Sequence, residues 1–343
     1  MRLDVVNPVS SPLWDEALEA CPGASFFHTA KWARVLADSY GYKPVYFCSG
    51  GTPLSVLVPL MEVSSFLSGK RGVSLPFSDY SSPLFDRMKD PMEVMDHLIH
   101  LGKTAMWKYI EIRDPDRFKD EIPTFDIYIG HALDLTGTEE ALYSGFRDST
   151  KRSIRKARNE GVEARRLTSL ESVREFYRLN CMTRRTHGLP PQPWKFFRNV
   201  YGHVISKGLG FVVLASRGGV NIAGAVYFHF GNKAIYKYGA SDKAYQGLRA
   251  NNLVMWEAIR WCRAAGYGSF CFGRTEPDNQ GLLQFKDGWG TTRRAIRYYR
   301  YDMKRAAYVA GMPDNAAIYG KIFRALPIPV LRAAGTVLYR HMG

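Results

Sequence analysis

The sequence predicts a mixed α/β (α+β) fold of two successive domains, followed by an amphipathic helical tail. Three observations predict it. At 343 residues the chain is longer than one ordinary hydrophobic core supports. Its apolar pattern runs helix, helix, hairpin, strand, helix, strand, helix, strand, which describes a sheet that begins antiparallel and ends with crossovers. A Gly-Gly turn between two apolar strands occurs at Gly50-Gly51 and again at Gly218-Gly219, each time preceded by helical segments, so one fold is expected to be used twice. We place the domains at 1–137 and 138–305 and the tail at 306–343.

In the first domain Trp14, Leu18, Phe26, Phe27, Trp32, Val35 and Leu36 mark helical segments that Cys21-Pro22-Gly23 divides in two. The apolar, β-branched runs 44–48 and 53–63 flank Ser49-Gly50-Gly51-Thr52 and read as a hairpin. The stretch 69–83 is rich in turn formers and is expected as a loop, yet it keeps Phe77, Asp79 and Tyr80, the mark of a functional connector. A helix over 91–106 and strands over 108–112 and 124–135 complete the half.

The second domain opens with a short helix running into FRDSTKRSIRKARNEG (146–161). Lys151, Arg152, Arg155, Lys156 and Arg158 crowd into two turns there. The pairs 151/155 and 152/156 each destabilise an isolated helix by about 0.2–0.5 kcal/mol. Charge alone leaves two readings, a solvated basic face and a surface for a polyanion. A strand over 162–167 follows, then a helix from Ser169 to its Gly188 stop and a helix over 194–207 started by Pro193. Strands are expected at 210–215, 220–230 and 233–238, a helix at 251–265, a strand at 269–272, a short helix at 282–285 and a strand at 291–302. In the tail, Ile318, Ile322, Phe323, Leu326, Val330, Leu331, Val337 and Leu338 alternate with Lys321, Arg324, Arg332 and Arg340. Such a helix packs back on the first domain or lies on an anionic membrane.

Composition narrows the function. Hydrophobic residues make up 46% and aromatics 13%, which supports a large core and excludes a disordered chain. The net charge of +15 favours an anionic partner. Five cysteines without a CxxC pair point to reduced thiols. Arg2 and Asp4 follow Met1 with no apolar h-region, and no apolar run reaches the roughly 18 residues a span needs. A cytoplasmic protein, at most peripheral to the inner membrane, is expected. His97 and His100 sit three apart without a third ligand, so no metal is expected. GxSxG, GxxxxGK[ST] and DxDxDG patterns are absent, which leaves hydrolase, P-loop and EF-hand functions unsupported.

The motifs FRDSTKRSIRKARNEGV (146–162), TRRTHGLP (183–190), YKYGASD (236–242), ANNLVMWEAI (250–259), FCFG (270–273) and FKDGWG (285–290), in this order, resemble the Fem-type aminoacyltransferases. KWARVLADSYG (31–41) and LPFSDYSSPLF (75–85) extend the likeness more loosely into the first half. The chain is also similar to FemAB-like proteins associated with exopolysaccharide and exosortase clusters. The resemblance implies two tandem GNAT-like (acyl-CoA N-acyltransferase-like) domains. It also implies transfer of an activated acyl or aminoacyl group to an amine of a cell-envelope or exopolysaccharide precursor, the acceptor being a phosphate-bearing lipid or glycan. No cofactor would be bound permanently, and the donor would be aminoacyl-tRNA or acyl-CoA. A CoA-using GNAT domain presents R/Q-x-x-G-x-G/A after its fourth strand, where helix N–H groups cradle pyrophosphate. Gln246-Gly247-Leu248-Arg249-Ala250-Asn251 offers one glycine, out of register. In the first domain Leu36 stands where a phosphate-binding lysine is common, with Arg34 nearby.

Candidate residues follow. Lys286, between aromatics and glycines, is the candidate to stabilise charge on a reacting carbonyl oxygen, the plainer alternative being a simple ion pair with Asp287. Asp79 and Tyr80 are candidates to orient the incoming amine or carry its proton. Tyr238 and Ser241 are expected at the mouth of a cleft, Tyr238 donating to a substrate group. Lys151, Arg152, Arg155 and Lys156 are expected to bind substrate, with Arg184 and Arg185 as a guanidinium fork and Arg249 and Asn251 at the following helix start. Each has a plainer structural role: helix capping for Arg184 and Arg185, a turn for Asp79, a strand aromatic for Tyr238. Two alternatives to aminoacyl transfer stand beside it, a CoA-dependent N-acyltransferase and a non-catalytic scaffold that binds RNA or anionic membrane.

Overall fold

The computed structural model describes residues 3–49, 54–85, 90–114, 118, 121–311 and 317–343. Of the turn expected at Ser49-Gly50-Gly51-Thr52, the part from Gly50 on lies outside the described residues. In chain order the strands are β1 (Asp4–Val6), β2 (Lys43–Ser49), β3 (Val56–Ser65), β4 (Gly69–Val73), β5 (Leu84–Phe85), β6 (Tyr109–Arg113), β7 (Asp126–Asp134), β8 (Glu163–Leu167), β9 (Gly210–Arg217), β10 (Val220–Phe230), β11 (Lys233–Ser241), β12 (Ser269–Thr275), β13 (Thr292–Asp302) and β14 (Ala307–Val309). The helices are α1 (Trp14–Glu19), α2 (Ala30–Tyr40), α3 (Pro91–Thr104), α4 (Glu139–Gly145), α5 (Asp148–Asn159), α6 (Leu170–Thr186), α7 (Trp194–His203), α8 (Ala250–Ala264), α9 (Gln280–Asp287), α10 (Ala317–Ala325) and α11 (Ile328–Leu338). Among the described residues no helix is long and apolar enough to cross a membrane.

The chain forms two compact units. Unit 1 comprises 1–128, 295–313 and 338–343; unit 2 comprises 129–294 and 314–337. In unit 1, β1, β2, β3 and β4 pair antiparallel in succession, β4 pairs parallel with β6, and β6 pairs antiparallel with β13. In unit 2, β8, β9, β10 and β11 pair antiparallel in succession, β11 pairs parallel with β12, and β12 pairs antiparallel with β7. Two helices precede the second strand of each series, and one helix, α3 or α8, makes the crossover to the parallel partner. The same plan is therefore written twice, as the paired Gly-Gly turns imply.

Three features differ from the sequence reading. The last strand of each plan comes from the other half of the chain: β13 from beyond 294 completes unit 1, and β7 from before 135 completes unit 2. The start of the stretch expected as a loop is β4, which pairs with β3 from Ser65↔Gly69 to Met61↔Val73. Its Gly72 lies where a Cβ would come within 2.2 Å of the Trp107 ring, so glycine here serves close packing rather than a turn. The tail is divided. Its helices α10 and α11 lie on unit 2, where the Gly188 and Gly335 backbones approach Gly320 O and Pro191 O so closely that a Cβ would stand 2.4 and 2.0 Å away. Residues 338–343 belong to unit 1.

The core of unit 1 joins Val45, Phe47, Val58 and Leu60 of the sheet to Val94 and Leu98 of α3. In unit 2, Thr150, Ile154 and Ala157 recur at helical spacing on the buried side of α5. Ile154 and Ala157 pack with Val213, Ala225, Trp256, Ile259 and Trp289. Full burial of one such aliphatic side chain is worth about 1.5–3 kcal/mol. That exceeds the few tenths lost to each like-charged pair, so packing holds the basic helix in place.

Candidate functional site

The feature that separates unit 2 from a closed sheet is the shortness of its parallel pairing. β11 and β12 match only at Lys233↔Ser269, Ala234↔Phe270 and Ile235↔Cys271, so β11 runs on from Tyr236 to Ser241 beyond the last matched pair. Two irregularities accompany the divergence. β10 shifts register between Val226 and Tyr227, and β12 shifts between Cys271 and Arg274. Gly273, inside the second bulge, has φ 69°, a left-handed conformation that glycine adopts without strain.

Lys286 holds this bulge. It lies on the last turn of α9, is 2% exposed, and its ammonium donates to the carbonyls of Gly273 (3.2 Å) and Arg274 (3.1 Å). Its charge therefore sits beneath the backbone of β12. The plainer alternative, a simple Lys286–Asp287 ion pair, gives way among the described residues to an Arg293–Asp287 pair. The Asp287 carboxylate accepts from Arg293 Nε at 2.7 Å and pairs with Arg293 Nη2. His131 Nε2 of β7 lies 3.2 Å from Asp287 Oδ1. Hydrogen bonding from Arg293, ahead of the cost of burial, holds the Asp287 carboxyl below its ordinary range. Burial, followed by the Lys286 charge, holds His131 below its usual value despite Asp287. Nothing in the residue types marks His131 or Arg293 as partners; the strand exchange that brings β7 into unit 2 puts His131 there.

At the far end of β11 the Ser241 backbone and Thr183 of α6 are tied twice: Ser241 N–H donates to Thr183 Oγ1 (2.9 Å), which donates to Ser241 O (3.0 Å). Asn251 Nδ2 of α8 donates to Ser241 Oγ at 3.2 Å. Arg249, exposed and left-handed at φ 58°, caps α8. The structure thus joins Ser241 to Asn251, with Arg249 two residues before Asn251 at the start of α8, and with Thr183 as the link that sequence reasoning passed over inside TRRTHGLP. Arg184 Nε donates to Pro190 O at 3.2 Å and serves the α6 C-terminus, whereas Arg185 is exposed. Tyr238 meets the rings of Phe196, Phe197 and Phe228 edge-on, the plain role of a strand aromatic.

The basic helix adjoins the turn that follows Lys286. Arg147 N–H donates to Gly288 O at 2.9 Å, and a Cβ on Gly288 would stand 2.4 Å from Thr150 Oγ1. Lys151 is half-buried and bonds Asp148 (3.0 Å) and Ser144 O (3.2 Å). Arg152, Arg155 and Lys156 are exposed and, among the described residues, form no ion pair.

Asp79 and Tyr80 belong to unit 1. Their loop is wound around Arg113, whose Nη1 donates to the carbonyls of Leu75 (3.1 Å) and Ser78 (3.2 Å) while Nε and Nη2 donate to Glu111 Oε1 (3.1 and 3.0 Å). Leu75 and Phe77 take φ 45° and 63°, a strained conformation for side chains that size. Asp79 is buried and its carbonyl accepts from Tyr298 Oη at 2.8 Å; Tyr80 packs edge-on against Phe27. Leu36 is buried, and Arg34 Nη2 donates to Val9 O at 3.1 Å.

Comparison with known proteins agrees with this architecture. Residues 144–287 match the family model described as an acetyltransferase (GNAT) domain. The lipid II:glycine glycyltransferases of Staphylococcus epidermidis and Staphylococcus aureus are 34% and 30% identical to this chain over 79 residues, 21% of the chain. The chain spans 19% of the length of these relatives. Among solved structures, FemX superposes with a TM-score of 0.67 at 14% identity, covering 87% of this chain and 97% of FemX. A tandem GNAT protein from the clavulanic acid biosynthesis pathway gives 0.53 at 10% identity over 91% of this chain and all of its own (100%). The chain thus has a tandem GNAT fold with a helical C-terminal region, and the stretch similar in sequence to the lipid II:glycine glycyltransferases covers 21% of it.

Proposed function

We propose that this protein is an aminoacyltransferase that moves an ester-activated aminoacyl group from tRNA to an amine of a lipid-linked cell-envelope precursor of the peptidoglycan type. The observation that carries this reading is the row of exposed cations Arg152, Arg155 and Lys156 on α5, which form no ion pair among the described residues and are fastened beside the turn after Lys286. An acceptor phosphate or a tRNA backbone is the ligand such a row attracts. The similarity to lipid II:glycine glycyltransferases supports the same class.

Aminolysis of an activated ester needs no protein nucleophile. The amine nitrogen attacks the carbonyl carbon, the C–O bond to the nucleoside breaks, and the amine proton is replaced on the departing oxygen through solvent. Alignment alone offers up to about 7–11 kcal/mol of the barrier. In this reading Lys286 is a positioning residue that fixes the β12 bulge and places a buried positive charge behind it. Ser241, Asn251 and Arg249 orient the reactants at the rim. The single glycine in 246–251 favours tRNA over CoA as the donor.

The test is mass spectrometry of lipid-linked precursor incubated with the protein and either charged tRNA or acyl-CoA. An aminoacyl mass increment with charged tRNA is expected. An increment with acyl-CoA alone would replace this reading by an N-acyltransferase, and none with either donor, while RNA or vesicles bind, would leave a scaffold.

A further inference from the structure

The turn joining β3 to β4 sends two large apolar side chains into solvent: Phe66 is 84% exposed and Leu67 65%. The turn is fastened on several sides. Ser65 Oγ accepts the N–H groups of Leu67 (3.1 Å) and Ser68 (3.2 Å), and His341 Nδ1 lies 3.0 Å from the same oxygen. Behind it the Arg71 guanidinium donates to Ser68 Oγ, to His341 O (2.7 Å) and to Gly343 O (2.6 Å). These bonds lay residues 341–343 along the hairpin. The His341 ring meets Phe66 edge-on at 4.7 Å, and Met342 is 58% exposed.

Cations flank this tip. Lys70 pairs opposite Ser64, one step behind the turn. Lys108 lies over Gly69, where a Cβ would stand 2.5 Å from its Cε, and its N–H donates to Lys70 O at 2.8 Å. Lys70, Lys108 and Arg340 are all exposed. The segments 63–75 and 338–343 contain no Asp or Glu. All these residues belong to unit 1. A pinned Phe-Leu tip, flanked by cations and without acidic side chains in its two segments, has the chemistry of a bilayer contact: the apolar pair enters among acyl chains while the cations meet anionic headgroups.

We propose that the β3–β4 turn, together with Met342, docks this chain on an anionic lipid bilayer. This goes beyond the reading of the reaction and needs no transfer chemistry. It places the contact on a different element from the amphipathic tail, whose Leu331 is buried and whose Gly335 is turned onto Pro191 of unit 2, while its Ile322, Val330 and Val337 stay exposed. A nucleic acid would use the cations but leave Phe66 and Leu67 without a partner.

The experiment is flotation of the full chain with phosphatidylglycerol-containing or pure phosphatidylcholine vesicles. Preferential binding to the anionic vesicles is expected. F66S/L67S should lower that partition by about tenfold or more, and K70Q/K108Q should lower it several-fold at low salt with the difference fading at high salt. Leu13→Ser, at an exposed apolar position of the same unit, should leave it unchanged. In a Leu67→Trp variant the indole emission should shift to the blue on adding anionic vesicles. Parental binding by F66S/L67S, an unmoved Leu67→Trp emission, or binding to RNA and not to vesicles would each overturn the proposal. Absence of acyl transfer would leave flotation unaffected, so the two readings fail separately.

Discussion

After the parallel pair β4–β6, unit 1 continues into a loop wound about the buried Arg113 guanidinium. After the parallel pair β11–β12, unit 2 continues into a rim of Ser241, Arg249 and Asn251 leading to an open helix start. Both pairings are short, covering Gly72↔Ile110 and Val73↔Glu111 in one and three pairs in the other. The same topology therefore leaves the same divergence between strands, and what fills it decides its use. Unit 1 fills it with an ion-paired arginine and strained backbone, whereas unit 2 leaves polar side chains at the rim.

The largest effect should come from the filling of unit 1. Arg113→Ala leaves Glu111 buried with Arg300 (2.6 Å) as its remaining ion-pair partner among the described residues and strips the loop of two hydrogen bonds. Denaturant unfolding should show a loss of about 3–5 kcal/mol; a loss under about 1 kcal/mol would mean that the loop does not depend on Arg113. In unit 2, Lys286→Met leaves the Gly273 and Arg274 carbonyls without their donor and should cost about 1–3 kcal/mol. Faster amide exchange confined to 271–275 would locate the damage at the bulge.

The pH dependence is the next test. Burial works to raise the Glu111 carboxyl, but Arg113 and Arg300 outweigh it and hold it below the ordinary range. A carboxyl depressed in the folded state contributes stability that is present above its unfolded value and is lost as pH falls through the folded one. Unfolding free energy should therefore drop with acid in the parent, and Glu111→Gln should flatten that part of the slope. Smallest is the effect of α5 on stability. Replacing Lys151, Arg152, Arg155 and Lys156 by Gln removes two repulsive pairs and the ion pair of half-buried Lys151 with the exposed Asp148, so unfolding should change by less than about 1 kcal/mol. The same variant should bind charged tRNA or anionic precursor more weakly and with a shallower salt dependence; unchanged binding would detach α5 from the site.

Much of the fold was legible because periodicity and punctuation agree. The helix expected from Ser169 is α6, with Ser169 Oγ accepting from Ser172 N–H at 3.1 Å, and the Gly218-Gly219 hairpin has φ 55° and 79°. The exchange of β7 and β13 was not legible, because an apolar strand carries no mark of its sheet neighbour. β4 was hidden for another reason: Gly69, Lys70, Arg71 and Gly72 lack β-branched residues, and the strand is held by Trp107 and the C-terminal residues around Arg71. Of the candidate site, charge density singled out α5, while the resemblance named Ser241 and Asn251 without showing that Asn251 Nδ2 donates to Ser241 Oγ. Lys286 was found by composition, but its commitment to two carbonyls depends on the β12 bulge. Asp79 looked like a loop carboxylate available to solvent because sequence cannot show that its loop turns inward.

The most direct test of the central claim is amide hydrogen exchange of the full chain with and without charged tRNA. The account predicts protection in 147–158 and 241–253 of unit 2, with the 74–83 loop of unit 1 unchanged. Protection confined to that loop, with none in unit 2, would contradict it.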